Sequence, residues 1–151
     1  MGSCGLFCFR GNSALRARYV CIFYAIYVHN IADRYAEFAH AVRKLAPSGR
    51  HLTAHIFGNA LFAEEGVSGL SVCDSRFLYG CFHELLSLAI IEHGIEIVPD
   101  LDDACTTSPH ADAPLSCKHG LGHGLLAYFG YSKEALDDAL AMCARLDEDP
   151  I

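Results

Sequence analysis

The chain has 151 residues, 52% of them hydrophobic and 19% charged, and carries a net charge of −7. One domain of that size can bury a core without metals or disulfides; the charge content argues against disorder, and the acidic balance against a nucleic-acid partner. No apolar run reaches the ~18 residues of a spanning helix, and the informative feature is nine His and eight Cys in a chain with only three Lys, at positions 44, 118 and 133.

Residues 1–46 read as a basic and apolar arm. Arg10, Arg16 and Arg18 precede the unbroken apolar run Tyr19–Val28, and no acid occurs before Asp33. Basic residues followed by 7–15 apolar ones are the layout of a signal peptide. The nearest small-x-small triplet, Ala39-His40-Ala41, lies well past the run, as a poor cleavage site. Two readings stand: export or membrane attachment through this arm, or a buried first helix continuing into Tyr35–Ala46. Met1-Gly2 resembles a myristoylation start, but Leu6 replaces the required Ser or Thr. Ala46-Pro47-Ser48-Gly49 reads as a break, and residues 50–149 follow as a His- and Cys-rich domain.

Three segments of that domain superimpose without gaps: His55–Gly66, His83–Gly94 and His119–Gly130. Each opens on His and closes on Gly eleven residues later, with shared apolar columns between, such as Phe57, Leu85 and Leu121. A Gly after a helical apolar pattern is a C-cap, because it takes the left-handed conformation that closes a helix. Each segment is therefore predicted to be a helix of about three turns. After Gly130, Ser132 reads as the N-cap of a second helix with Ala135, Leu136, Ala139, Leu140 and Cys143 on one stripe. After Gly94 a shorter helix is expected over Asp100–Cys105, and after Gly66 a vestigial one over Val67–Cys73. Residues 106–116 read as a loop. The whole predicts an all-α fold of helical-hairpin repeats, a short solenoid or bundle with an N-terminal helical arm.

The histidines follow the same pattern. Position 1 of each segment shares a helical face with position 8, which holds Phe62, Ile90 and Leu126. The first histidines should therefore point into the packed seam. His51 lies four before His55, and His123 four after His119, so each pair puts two imidazoles on one face. If the helices pack side by side, His51, His55, His83, His119 and His123 converge on a buried polyhistidine site for a transition metal such as Zn, Cu or Fe. Gly120, Gly122 and Gly124 interleave with the second pair. Each glycine costs a helix about 1 kcal/mol against Ala, which implies that something approaches the backbone there. Glu84, next to His83, is the candidate for orienting a ligand or moving a proton. The competing account is structural: each imidazole donates to a main-chain carbonyl, and the chain is a non-enzymatic interaction module with a protein partner. Haem ligation by two facing histidines is a weaker option, without a C-x-x-C-H attachment motif. His29, His40, His93 and His110 fall outside the pattern.

Cys81 and Cys117 each stand two residues before a repeat His. In antiparallel hairpins they lie opposite Cys105 and Cys143, so Cys81–Cys105 and Cys117–Cys143 are the expected staples. Cys4, Cys8, Cys21 and Cys73 are then left over. The rival use of Cys81 and Cys117 is as zinc thiolates. Disulfides imply an exported or periplasmic chain, thiolate–zinc a cytoplasmic one, and the apolar arm tips the choice slightly toward disulfides.

From Arg50 to Leu146 the chain resembles a family of uncharacterised, often exported bacterial proteins. The matching residues are His51-Leu-Thr-Ala-His55-Ile-Phe-Gly58, then Gly80-Cys81-Phe82-His83, then Cys117-Lys118-His119-Gly120-Leu121-Gly122-His123-Gly124, and Cys143. The last block, Cys-x-His-Gly-x-Gly-His-Gly, is the specific one. Arg50 replaces a Cys of the family pattern and Glu84 a Gly; members also continue past the point matching Ile151. The resemblance supports a metal site, with redox or metal-dependent catalysis as an extension, and carries no known reaction.

Overall fold

In the computed structural model, residues 31–110 and 113–148 are described; the apolar run Tyr19–Val28, with Cys4, Cys8, Cys21 and His29, lies outside them. The described residues form six α-helices and no strand: α1 (Tyr35–Val42), α2 (Pro47–Glu65), α3 (Gly80–His93), α4 (Val98–Thr106), α5 (Ala113–Phe129) and α6 (Lys133–Glu148). Short 3-10 turns cover Ala32–Arg34, Gly66–Ser71 and Ile95–Ile97. The all-α expectation holds. None of these helices is long and apolar enough to cross a membrane.

Local signals explain most of the boundaries. Pro47 sits in the first turn of α2, where its missing N–H is no loss. Three helices end where expected, at Gly66, Gly94 and Gly130, with φ of +60°, +84° and +89°. Ser132 caps α6 as expected: its Oγ accepts from the Ala135 N–H at 3.1 Å. The expected loop over residues 106–116 is shorter, because α5 already begins at Ala113.

The centre of the molecule is α3. Gly80, Cys81, Phe82, His83, Leu85, Leu86, Ala89 and Ile90 are all buried, so little of its surface is left for water. A helix apolar on most sides belongs between neighbours, and α3 lies between α2 and α5. Glycines set both distances. A Cβ on Gly58 would stand 2.6 Å from the Cys81 carbonyl oxygen. On the other side, a Cβ on Gly120 would stand 3.1 Å from the Phe82 Cβ, and one on Gly124 3.3 Å from the Leu86 carbonyl. The close approach inferred from the α5 glycines is therefore that of helix α3, at two of the three positions. From the N-terminal side, α1 buries Tyr35, Phe38 and Val42 in the same core, with Phe38 stacked on Phe57 at a ring separation of 4.3 Å.

The cysteine pairing departs from expectation. The bridges are Cys73–Cys81 and Cys105–Cys117, not Cys81–Cys105 and Cys117–Cys143. The expected pairs assumed that α4 folds back on α3. Instead α4 packs on α5, which puts Cys105, near its end, beside Cys117 in the second turn of α5. Cys73, expected to be left over, leads into the segment before α3 and reaches Cys81 across eight residues. Cys143 lies half-buried on α6, outside both bridges.

Candidate metal centre

The five predicted histidines come together. His51 and His55 lie one turn apart on α2, with ring centroids 4.6 Å apart. His119 and His123 lie one turn apart on α5, at 4.8 Å. His83 of α3 stands between the pairs, 5.3 and 5.4 Å from the first two rings and 5.1 and 4.3 Å from the second two. Two sets of three ring nitrogens result, His51–His55–His83 and His83–His119–His123, and within each set all lie within 4.8 Å of one another.

The exposure is uneven, which corrects the expectation of a wholly buried site. His83 is buried, His51 and His55 are half-buried, and His119 and His123 are exposed. The reason is rotational. The face of α5 that meets α3 is the glycine face, Gly120 and Gly124. Each histidine precedes one of these by a residue, about 100° round the helix, so it reaches His83 from the rim of the seam. His40 and His93, outside the pattern, are exposed, and His110 is half-buried.

Neighbours fix the proton positions on the α2 pair. His51 Nδ1 lies 3.0 Å from the carbonyl oxygen of Phe77. A carbonyl only accepts, so Nδ1 carries the proton. His55 Nδ1 lies 3.1 Å from Oε2 of Glu84. The His55 hydrogen bond, aided by one from Asn59 and opposed by burial, holds the Glu84 carboxyl below its ordinary range. Glu84 is therefore ionised and acceptor-only, so His55 Nδ1 also donates. With the proton on Nδ1, Nε2 of an uncharged imidazole carries a lone pair, and the two Nε2 atoms face each other at 3.1 Å. Two lone pairs in that position repel unless a cation, a proton or a metal ion, sits between them. For Zn–N bonds of about 2.05 Å the edge of a tetrahedron is roughly 3.3 Å.

His83 supplies a third nitrogen that nothing satisfies. Its Nε2 is buried and has no hydrogen-bond partner. Burial first, then the other four imidazoles, push its pKa down to about 3, so at neutral pH the ring is an uncharged donor of lone pairs. His123, only partly shielded from water, is lowered too, first by that partial desolvation and then by His119, His55 and His51.

One element of the site left no trace in the pattern. Phe77, Leu78 and Tyr79 all have positive φ, at 59°, 56° and 62°. Left-handed backbone costs a non-glycine residue roughly 1–2 kcal/mol. Three such residues in a row persist only where surrounding contacts over-determine them. Those contacts are the Cys73–Cys81 bridge and Asp74, which accepts from the Tyr35 hydroxyl at 2.7 Å and the Arg76 amide at 2.9 Å. Burial works against the Asp74 charge, but hydrogen bonds from Arg76 and Tyr35 outweigh it and keep the carboxyl lowered. The Arg76 guanidinium also lies over the Tyr35 ring, 4.7 Å from its centroid. The product of this turn is the Phe77 carbonyl aimed at His51. No Gly, Asn or Asp stands at 77–79 to signal it.

No family model, curated protein or solved structure matches this chain.

Proposed function

We propose that this chain is a metal-binding helical domain, with His51, His55, His83, His119 and His123 as the ligands and zinc, copper or iron as the metal. The observation that carries the reading is the pair of Nε2 atoms on His51 and His55, 3.1 Å apart and beside the unpartnered Nε2 of His83. An all-imidazole donor set suits those metals. The Nδ1 contacts to Phe77 and Glu84 are the supporting bonds that orient metal-ligating imidazoles. With a coordination position left open on the exposed side, such an ion acts as a Lewis acid or redox centre; Glu84 then orients His55 rather than binding metal. The scaffold account asks each imidazole to be satisfied by main chain, and of the five only His51 bonds a main-chain oxygen. The two disulfides fit an exported chain in an oxidising compartment.

Elemental analysis of the chain purified without chelator tests this. The expected result is a stoichiometric transition metal that is lost in His83→Ala. A metal-free protein whose melting temperature ignores added zinc, copper and iron would overturn the reading, since saturation at 100 times Kd stabilises by about 2.7 kcal/mol.

A further inference from the structure

The three α5 glycines do not share one explanation. Gly120 and Gly124 lie against α3, whereas a Cβ on Gly122 would meet nothing within 4 Å. Gly122 instead lies between His119 and His123 along the wall of a groove of about 260 Å³ formed by α5 and α6. The far part of that groove is apolar, with Leu126, Leu136 and Leu140. Leu136 and Leu140 are 44% and 58% exposed, so this apolar wall is open to water. At the near end are the exposed imidazoles of the second histidine set and Lys118, whose ammonium is paired with Asp102. Every side chain in that set is neutral when it ligates, so a bound divalent ion keeps its full charge there. The nearest carboxylate on α3, Glu84, is committed to His55.

We propose, resting on the metal reading above, that this groove binds a small monocarboxylate with a short aliphatic tail. The carboxylate sits on the metal ion held at His119 and His123, and the tail lies over Gly122 against Leu126, Leu136 and Leu140. The charge left on an all-imidazole site selects the anion, and the leucines select the tail. The volume falls just under the roughly 300 Å³ at which drug-sized pockets begin, which suits a chain of a few carbons. A side chain at position 122 would stand in the path of that tail, which explains a glycine that helix packing does not require.

The test is calorimetric titration of acetate and hexanoate into the zinc-loaded full chain, repeated on metal-free protein. Each buried methylene is worth several-fold in affinity, so hexanoate should bind more than about tenfold tighter than acetate. Gly122→Val and Leu140→Asp should each remove that preference while leaving zinc stoichiometry unchanged. Equal affinity for the two acids on zinc-loaded protein overturns the groove proposal and leaves the metal reading standing. So does hexanoate binding that is unaltered in both variants or undiminished without zinc. Failure to load zinc, copper or iron at all overturns the metal reading, and the carboxylate site falls with it.

Discussion

Oε2 of Glu84 lies 3.1 Å from Nδ1 of His55, across the seam between α3 and α2. The carboxylate fixes the tautomer that leaves Nε2 of His55 free to ligate. Glu84→Gln keeps the shape but can present an amide N–H to the ring, which favours the wrong tautomer. Metal affinity should fall by 10–100-fold, the usual cost of losing such a partner. Competition against a chromophoric chelator measures it. An unchanged affinity would mean that Glu84 does not orient the ligand.

Protons compete with metal at these imidazoles, and they also act on the metal-free fold. His83 has its pKa pushed from 6.5 to about 3 in the folded chain. Between those values the unfolded chain binds a proton that the folded chain refuses, so stability rises with pH across that window. Metal-free protein should therefore melt progressively lower as pH falls from about 6.5 toward about 3. His83→Gln should flatten that slope. The check is calorimetry of both proteins across the window; parallel curves would refute the assignment to His83.

The site was more legible in sequence than the framework around it. All five histidines were readable because i, i+4 spacing and a shared register are local facts, and α3 gathers them whatever the loops do. The glycine caps at 66, 94 and 130 were readable for the same reason. The disulfides were not, since they depend on which neighbour α4 chooses. A nine-residue helix with Val98, Leu101 and Cys105 buried can pack on α3 or α5, and its own sequence does not decide. The left-handed turn at 77–79 was hidden because its residue types oppose it; only the Asp74, Arg76 and Cys73 contacts hold it. The exposure of His119 and His123 is not legible in the apolar column, because the seam runs along the glycines beside it, which allow the closer contact.

Peptide mapping under non-reducing conditions should find Cys73 linked to Cys81 and Cys105 linked to Cys117. Their separations of 8 and 12 residues correspond to about 2.5 and about 2.8 kcal/mol by loop-closure entropy. Reduction should therefore lower the melting temperature clearly, and Cys105→Ser with Cys117→Ser should reproduce about half of the loss. Recovery of a Cys81–Cys105 or Cys117–Cys143 peptide would contradict this packing of α4.

Two alanine substitutions two residues apart on α5, about 3 Å along its axis, should act in opposite directions. At Gly122 a Cβ meets open space, so Gly122→Ala should gain up to about 1 kcal/mol from helix propensity. At Gly120 a Cβ would come within 2.8 Å of Leu86 Cδ1 and 3.1 Å of Phe82 Cβ. Gly120→Ala should therefore lose about 1–3 kcal/mol by overpacking, and it should push His119 away from His83. Denaturant titration separates the two, and two changes of the same sign would rule out the α3–α5 contact described.

Leu78 is the middle residue of the left-handed turn, with φ of 56°, and its side chain is 69% exposed. Replacing it loses little burial and relieves backbone strain worth roughly 1–2 kcal/mol. Glycine adds unfolded-state entropy that offsets about 0.5–1 kcal/mol of that relief. Leu78→Gly should thus be neutral to about 1 kcal/mol more stable, whereas β-branched Leu78→Ile should be less stable, because a branch at Cβ fits positive φ worst. Metal affinity should follow the turn: preserved in the glycine variant, where the Phe77 carbonyl still meets His51, and weakened in the isoleucine variant. A glycine variant destabilised as much as the isoleucine one would show that residue 78 does not occupy left-handed backbone.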